Sequence, residues 1–164
     1  MKTVSKRIVM FAGLLAAPVA TNIGTPGVIA PTSESAPDPR LVRLEQFLEE
    51  RDCPLTKYAA DFIEAADANE LDWRLLPSIS VIESGGGKEY MNNNVFGWDS
   101  CRHRFPSVRA GIHIVASRLA NSDLYRDKDV DELLKTYNPA VSTYATRVKA
   151  VMRSIAHSES AIFN

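Results

Sequence analysis

Cysteine and histidine are scarce in this 164-residue chain, which holds two of the first and three of the second. Cys53 and Cys101 form no CxxC, and His103, His113 and His157 are scattered. A zinc site of the familiar finger or ribbon spacing is therefore excluded, and neither metal nor cofactor is expected. An excess of charge is missing too: 19 Lys+Arg stand against 20 Asp+Glu, a formal net charge of -1. That balance carries no electrostatic footprint for nucleic acid. There is no internal repeat, and nothing alternates like a strand beyond residues 94–98. What remains is an ordinary globular composition, 45% hydrophobic and 24% charged, at a length suited to one domain.

Acidic residues are absent before Glu34, whereas Lys2, Lys6 and Arg7 precede the apolar run IVMFAGLLAAPVA, Ile8 to Ala20. A basic segment followed by a short apolar one is the pattern of a secretory signal. The run falls short of the roughly 20 residues that span a bilayer, though the mixed stretch beyond it leaves an uncleaved anchor open. Residues 1–30 are thus expected to be a signal peptide or an N-terminal membrane anchor, with cleavage after Ala20 or Ala30. An ordinary buried N-terminal helix is the alternative. No Cys lies here to carry a lipoprotein anchor. The expected location is the periplasm or the extracellular space. Removing residues 1–30 takes away three basic groups, so 16 Lys+Arg face 20 Asp+Glu, a net of -4. Affinity for an anionic wall must then come from a local groove. In an exported chain Cys53 and Cys101 read as a disulfide, against the alternative of two free thiols.

Residues 31–38, PTSESAPD, form a Pro/Ser-rich linker. The domain runs from 39 to 164, and its apolar residues recur at helical spacing. Leu41, Leu44, Phe47 and Leu48 mark a helix starting near Pro39. Pro54 opens a second, with Tyr58, Ala59, Phe62, Ile63 and Ala66 inward and Asp61, Glu64 and Asp67 on a solvated face. Asp72 can cap a third, WRLLPSISVIES, which Pro77 should kink or delay and Gly85 to Gly87 should end. Ser107 or Pro106 opens a fourth, with Val108, Ile112, Val115 and Leu119 inward. Asp129 caps a short one ending near Tyr137. Ser142 or a neighbour opens the last, with Tyr144, Val148, Val151, Met152 and Ile155 facing in. The predicted fold is a compact all-α domain with little or no β structure.

Within this pattern one carboxylate is out of place. Glu83 follows Ile79, Val81 and Ile82 in a stretch free of other charge and precedes three glycines. The carbonyl ends of the helix dipoles and apolar walls both disfavour an anion there. A general acid needs such a setting, because it must still hold its proton near neutral pH. The glycines would let a substrate approach the backbone. A surface Glu before a flexible loop is the plain alternative.

These residues also carry a resemblance. "LLPSISVIESGGG" resembles the catalytic-helix motif of the lysozyme-like superfamily, in which a Glu-Ser pair ends a buried helix. "NNNVFGWDS" resembles the Asn-rich Phe-Gly turn of bacterial glucosaminidases, where soluble lytic transglycosylases have a Gly-Leu-Met-Gln turn. "FPSVRAGI" is similar to the segment opening the next helix in both groups. Tyr137-Asn138-Pro139, Tyr144 and "YATRVKAVM" are similar to the family's Tyr-Asn pair, downstream Tyr and closing helix. The likeness runs in order from about Leu71 to Met152.

The resemblance implies a saccharide cleft in an all-α fold and an enzyme that cleaves β-1,4 bonds between amino sugars of peptidoglycan. N-acetylglucosaminidase, muramidase and lytic transglycosylase are the implied activities. Glu83 would protonate the leaving oxygen. Ser84, Asn94, Phe96, Trp98, Tyr137, Asn138 and Tyr144 would bind the glycan or flank the acid, and Trp98, where an aliphatic residue is commoner, could stack on a sugar or simply pack in the core. A two-carboxylate mechanism needs a partner, for which Asp99 and then Glu89 are candidates. Without one, the substrate's N-acetyl group or 6-hydroxyl supplies the nucleophile. The other functional class is a non-catalytic cell-wall-binding or assembly module that keeps the cleft. A generic helical interaction protein is the third. The expected partners are peptidoglycan strands and a cell-wall or secretion-machinery protein, with the chain itself a monomer.

Overall fold

Leu44, Phe47 and Leu48 are all buried, as their spacing predicts, and they turn one face of α1 (Pro39–Glu49) into the core. The computed structural model describes residues 36–158; the expected signal or anchor and residues 31–35 of the linker lie outside the described residues. Asp38 caps α1 by accepting the Arg40 N–H at 2.8 Å. The second predicted helix divides into a short 3-10 turn over Pro54–Tyr58 and α2 (Ala59–Asp67). Ala59, Phe62, Ile63 and Ala66 are buried as expected, and Tyr58 is half-buried.

α3 (Leu75–Ser84) begins later than the sequence motif does. Asp72 is spent on Arg74, accepting its backbone N–H at 2.9 Å and pairing with its guanidinium. Pro77 then falls in the first turn, where its missing N–H would have had no helical partner. Delay, rather than a kink, is the outcome. Leu75 through Ser80 are buried on every side, so α3 is the central helix. It packs chiefly on α6 (Tyr144–His157), and α2 packs on α4 (Val108–Asn121). Ser107 caps α4 and Asp129 caps α5 (Val130–Tyr137), each side chain accepting the N–H three residues on.

No strand forms among the described residues; the 94–98 pattern is a series of turns with one isolated bridge, Met91 to Asn94. The all-α expectation is therefore what the structure has. No described helix is long and apolar enough to cross a membrane.

One expectation about the glycines is corrected. Gly85 ends α3 in the left-handed conformation (φ 62°, ψ 32°), but Gly86 and Gly87 are buried rather than open to a substrate. A Cβ on Gly86 would lie 2.3 Å from Cys53 Sγ, and one on Gly87 2.7 Å from Leu55 Cγ. These glycines let the end of α3 close against the 3-10 turn.

Candidate functional site

The asparagine cluster builds the turn that faces the end of α3. Asn92 and Asn93 take left-handed backbone (φ 58° and 57°), which a short amide side chain tolerates better than most. Each of the three amides then holds a carbonyl of the following loop. Asn92 donates to Cys101 O at 3.1 Å, Asn93 to Phe105 O at 2.9 Å, and Asn94 to Trp98 O at 2.8 Å. Asn94 also accepts the Trp98 N–H at 3.0 Å. Phe96 is wholly buried, edge-on to Phe62, and anchors this turn in the core.

The anchored turn brings Gly97 against the half-buried Glu83. A Cβ on Gly97 would fall 2.5 Å from Glu83 Oε2, so the carboxyl packs directly on the glycine backbone. Beyond it opens a cleft of about 560 Å³, a volume within the range of ligand sites. Glu83 and Gly97 line it, with Trp98 and Asp99 from the turn and Tyr137 and Asn138 from the end of α5. Tyr125, Ser100 and Pro139 complete the wall.

Three tyrosines and the tryptophan form a connected aromatic group. Tyr137 stacks on Tyr144, with centroids 5.8 Å apart and planes 7° from parallel, and meets Trp98 edge-on at 5.7 Å. Tyr125 lies against Trp98 at 6.1 Å. The Tyr137 hydroxyl donates to Phe96 O at 2.6 Å, tying α5 to the turn. Arg118 sits over the Trp98 ring at 5.9 Å, the outer limit of a cation–π contact.

Tyr144 is only 2% exposed, and its hydroxyl is buried without a closed hydrogen bond. Glu83 is its near neighbour. Burial, followed by the nearness and charge of the Glu83 carboxyl, pushes the Tyr144 phenol far above its ordinary value. Burial also raises Tyr137, with Glu83, Tyr125 and Cys101 adding in the same direction. Both phenols are therefore neutral, and Tyr144 retains a proton to offer beside the carboxyl.

Of the residues expected at the site, Glu83, Trp98, Asp99, Tyr137 and Asn138 line the cleft, and Tyr144 lies buried beside it. Ser84, Asn94 and Phe96 do not line it. The buried Ser84 hydroxyl donates to Ser80 O at 2.8 Å and accepts the Gly87 N–H at 3.2 Å, so it closes the helix end. Asn94 and Phe96 build the turn from beneath. Glu89 is exposed and lies outside the lining residues. Helical spacing does not single out Tyr125, because it stands in the loop after α4; its sequence signal is a lone aromatic amid SDLYRDKD, which the structure buries.

Two further expectations are corrected. Cys53 and Cys101 are both free. Cys53 is buried against Gly86, its Sγ 3.8 Å from the carbonyls of Arg51 and Gly85, and burial pushes its thiol up. Cys101 belongs instead to the left-handed turn Asp99-Ser100-Cys101, near Tyr137. Asp61, expected on a solvated face with Glu64 and Asp67, is buried and paired with Arg109, while the other two are exposed. No protein-family model matches this chain, and no curated protein matches it either.

Proposed function

We propose that this chain cleaves peptidoglycan glycan strands at a β-1,4 bond between amino sugars, with Glu83 as the general acid. One observation carries the reading: the Glu83 carboxyl forms part of an aromatic-walled cleft, pressed on Gly97 and next to a buried, neutral phenol. In this reading Glu83 hands a proton to the glycosidic oxygen as the C1–O bond breaks, and the Tyr144 phenol steadies the carboxylate left behind. Trp98, half-buried in the cleft wall, offers an aromatic surface suited to the flat apolar face of a pyranose.

A single-carboxylate route is favoured. Asp99 is the other carboxylate of the cleft, but its side chain is half-exposed and faces only the exposed Arg102 at 2.6 Å, so nothing holds it in place as a base. The N-acetyl oxygen or the 6-hydroxyl of the substrate then attacks C1. Glu83, now the base, takes the proton from incoming water or from that hydroxyl. The basic-then-apolar start of the sequence supports export to where this substrate lies.

Mass analysis of peptidoglycan digested by the purified protein tests the reading. A new reducing end or an anhydro end is expected, and Glu83→Gln should lower turnover about 10²–10⁴-fold without unfolding the chain. Asp99→Asn should cost only a modest part of that. Glycan binding with no cleavage would replace the enzyme with a wall-binding module that uses the same aromatic wall. Unimpaired cleavage by folded Glu83→Gln would remove the acid from its role.

A further inference from the structure

Away from the cleft, α2 and α4 bring three candidate ligands together. Asp61 and Glu64 are three residues apart on α2, hence one helical turn, and His113 comes from α4. One ligand atom from each lies within 4.8 Å of the other two. None of the three lines the cleft. Two ligands on one tetrahedral metal at about 2.1 Å stand about 3.4 Å apart, so modest side-chain rotations bring all three onto one ion.

Burial sharpens the case. Asp61 is 4% exposed, a costly place for a carboxylate. Its ion-pair partner is Arg109 Nε at 3.0 Å, on a side chain that is 67% exposed. A surface arm of that kind can swing to solvent and yield the buried oxygen to a cation. His113 is half-buried and Glu64 exposed, which leaves an approach from solvent.

We propose that Asp61, Glu64 and His113 form a zinc(II)-type site that pins α2 to α4. An imidazole nitrogen with two carboxylate oxygens suits a borderline first-row ion, whereas calcium and magnesium seek sets made wholly of oxygen. Three protein ligands leave a fourth position for water. The ion would displace Arg109 from Asp61 and join two helices already packed together, raising stability as any ligand of the folded state does.

Zinc sulfate titrated into the chelator-stripped full chain, followed by calorimetry and by thermal unfolding, tests this. One zinc per chain is expected, with Kd tighter than about 10 μM and a Tm that rises with zinc. His113→Ala should weaken binding at least about tenfold, and Glu64→Gln, an exposed change, should weaken it several-fold. Arg109→Ala should tighten binding, since it removes the competing cation. If His113→Ala does not fold, the opposite signs expected for Glu64→Gln and Arg109→Ala decide the matter. No zinc binding, binding unchanged in folded His113→Ala, preference for calcium or magnesium, or weakening by Arg109→Ala would each overturn the site.

Discussion

Gly97 has no room for even a methyl group, and the obstacle is the oxygen of the proposed acid. Its φ of +64° adds a backbone cost for any other residue, about 1–2 kcal/mol for alanine. Gly97→Ala should therefore lower folding stability by that amount in denaturant titration. It should also displace the carboxyl and reduce glycan cleavage by more than about tenfold, since misplacement of roughly 1 Å can cost about 10²-fold. Normal cleavage by the alanine variant would mean that Glu83 is not held by this contact. Tyr144→Phe has a different signature, because its hydroxyl closes no hydrogen bond. Stability should be unchanged or slightly raised, since no bonded partner is orphaned. Cleavage should fall all the same, as the neutral donor beside Glu83 is lost. A clear loss of stability with full activity would reverse that assignment.

At the scale of elements, the start of α3 depends on charge. Burial acts to raise the Asp72 carboxyl, but hydrogen bonds from the Arg74 side chain and backbone outweigh it and hold it below the ordinary 3.8. A carboxyl depressed on folding contributes stability that is fully present above its unfolded value and is lost as pH falls through the folded one. Chemical denaturation midpoints should thus be insensitive to this pair from pH 7 to about 5 and decline below about pH 4. In Asp72→Asn the decline should be shallower, and an identical decline would remove the pair from the acid response. Asp38 and Asp67, both held down by Arg40, shift the same way, but they are exposed and screened, so their share is small. The asparagine cluster illustrates how an element can be misjudged. Asn94 reads as a glycan contact by resemblance, yet its amide bonds to Trp98 and His103 show that it shapes the turn.

At the scale of the molecule, the core joins residues from every described α-helix, including Phe47, Phe62, Leu76, Ile112, Leu134 and Ile155. Burial of such side chains contributes about 1.5–3 kcal/mol each, and this core is assembled with both cysteines free. Thiol titration of denatured, non-reduced protein should accordingly find both cysteines reactive. A finding of none would restore the Cys53–Cys101 bond and require the turn after Trp98 to move.

Period and punctuation marked where the helices lie, though not the 3-10 start of the second or the late start of α3. Leu44, Phe47 and Leu48 at helical spacing, Ser107 and Asp129 ahead of apolar runs, and Gly85 after one are local signals, and local backbone chemistry obeys them. Glu83 was legible for the same reason, as a charge placed where its own helix would not favour it. What each side chain meets across the fold is not local. Asp61 shares the spacing of Glu64 and Asp67, and only the packing of α4 on α2 buries it beneath Arg109. Ser84 adjoins Glu83 in sequence, yet it points into the helix end while Glu83 borders the cleft, because neighbours on a helix diverge by about 100°. Tyr125 reaches the cleft from the polar loop after α4, and the Tyr144 hydroxyl lies beside Glu83 only once α6 has packed on α3.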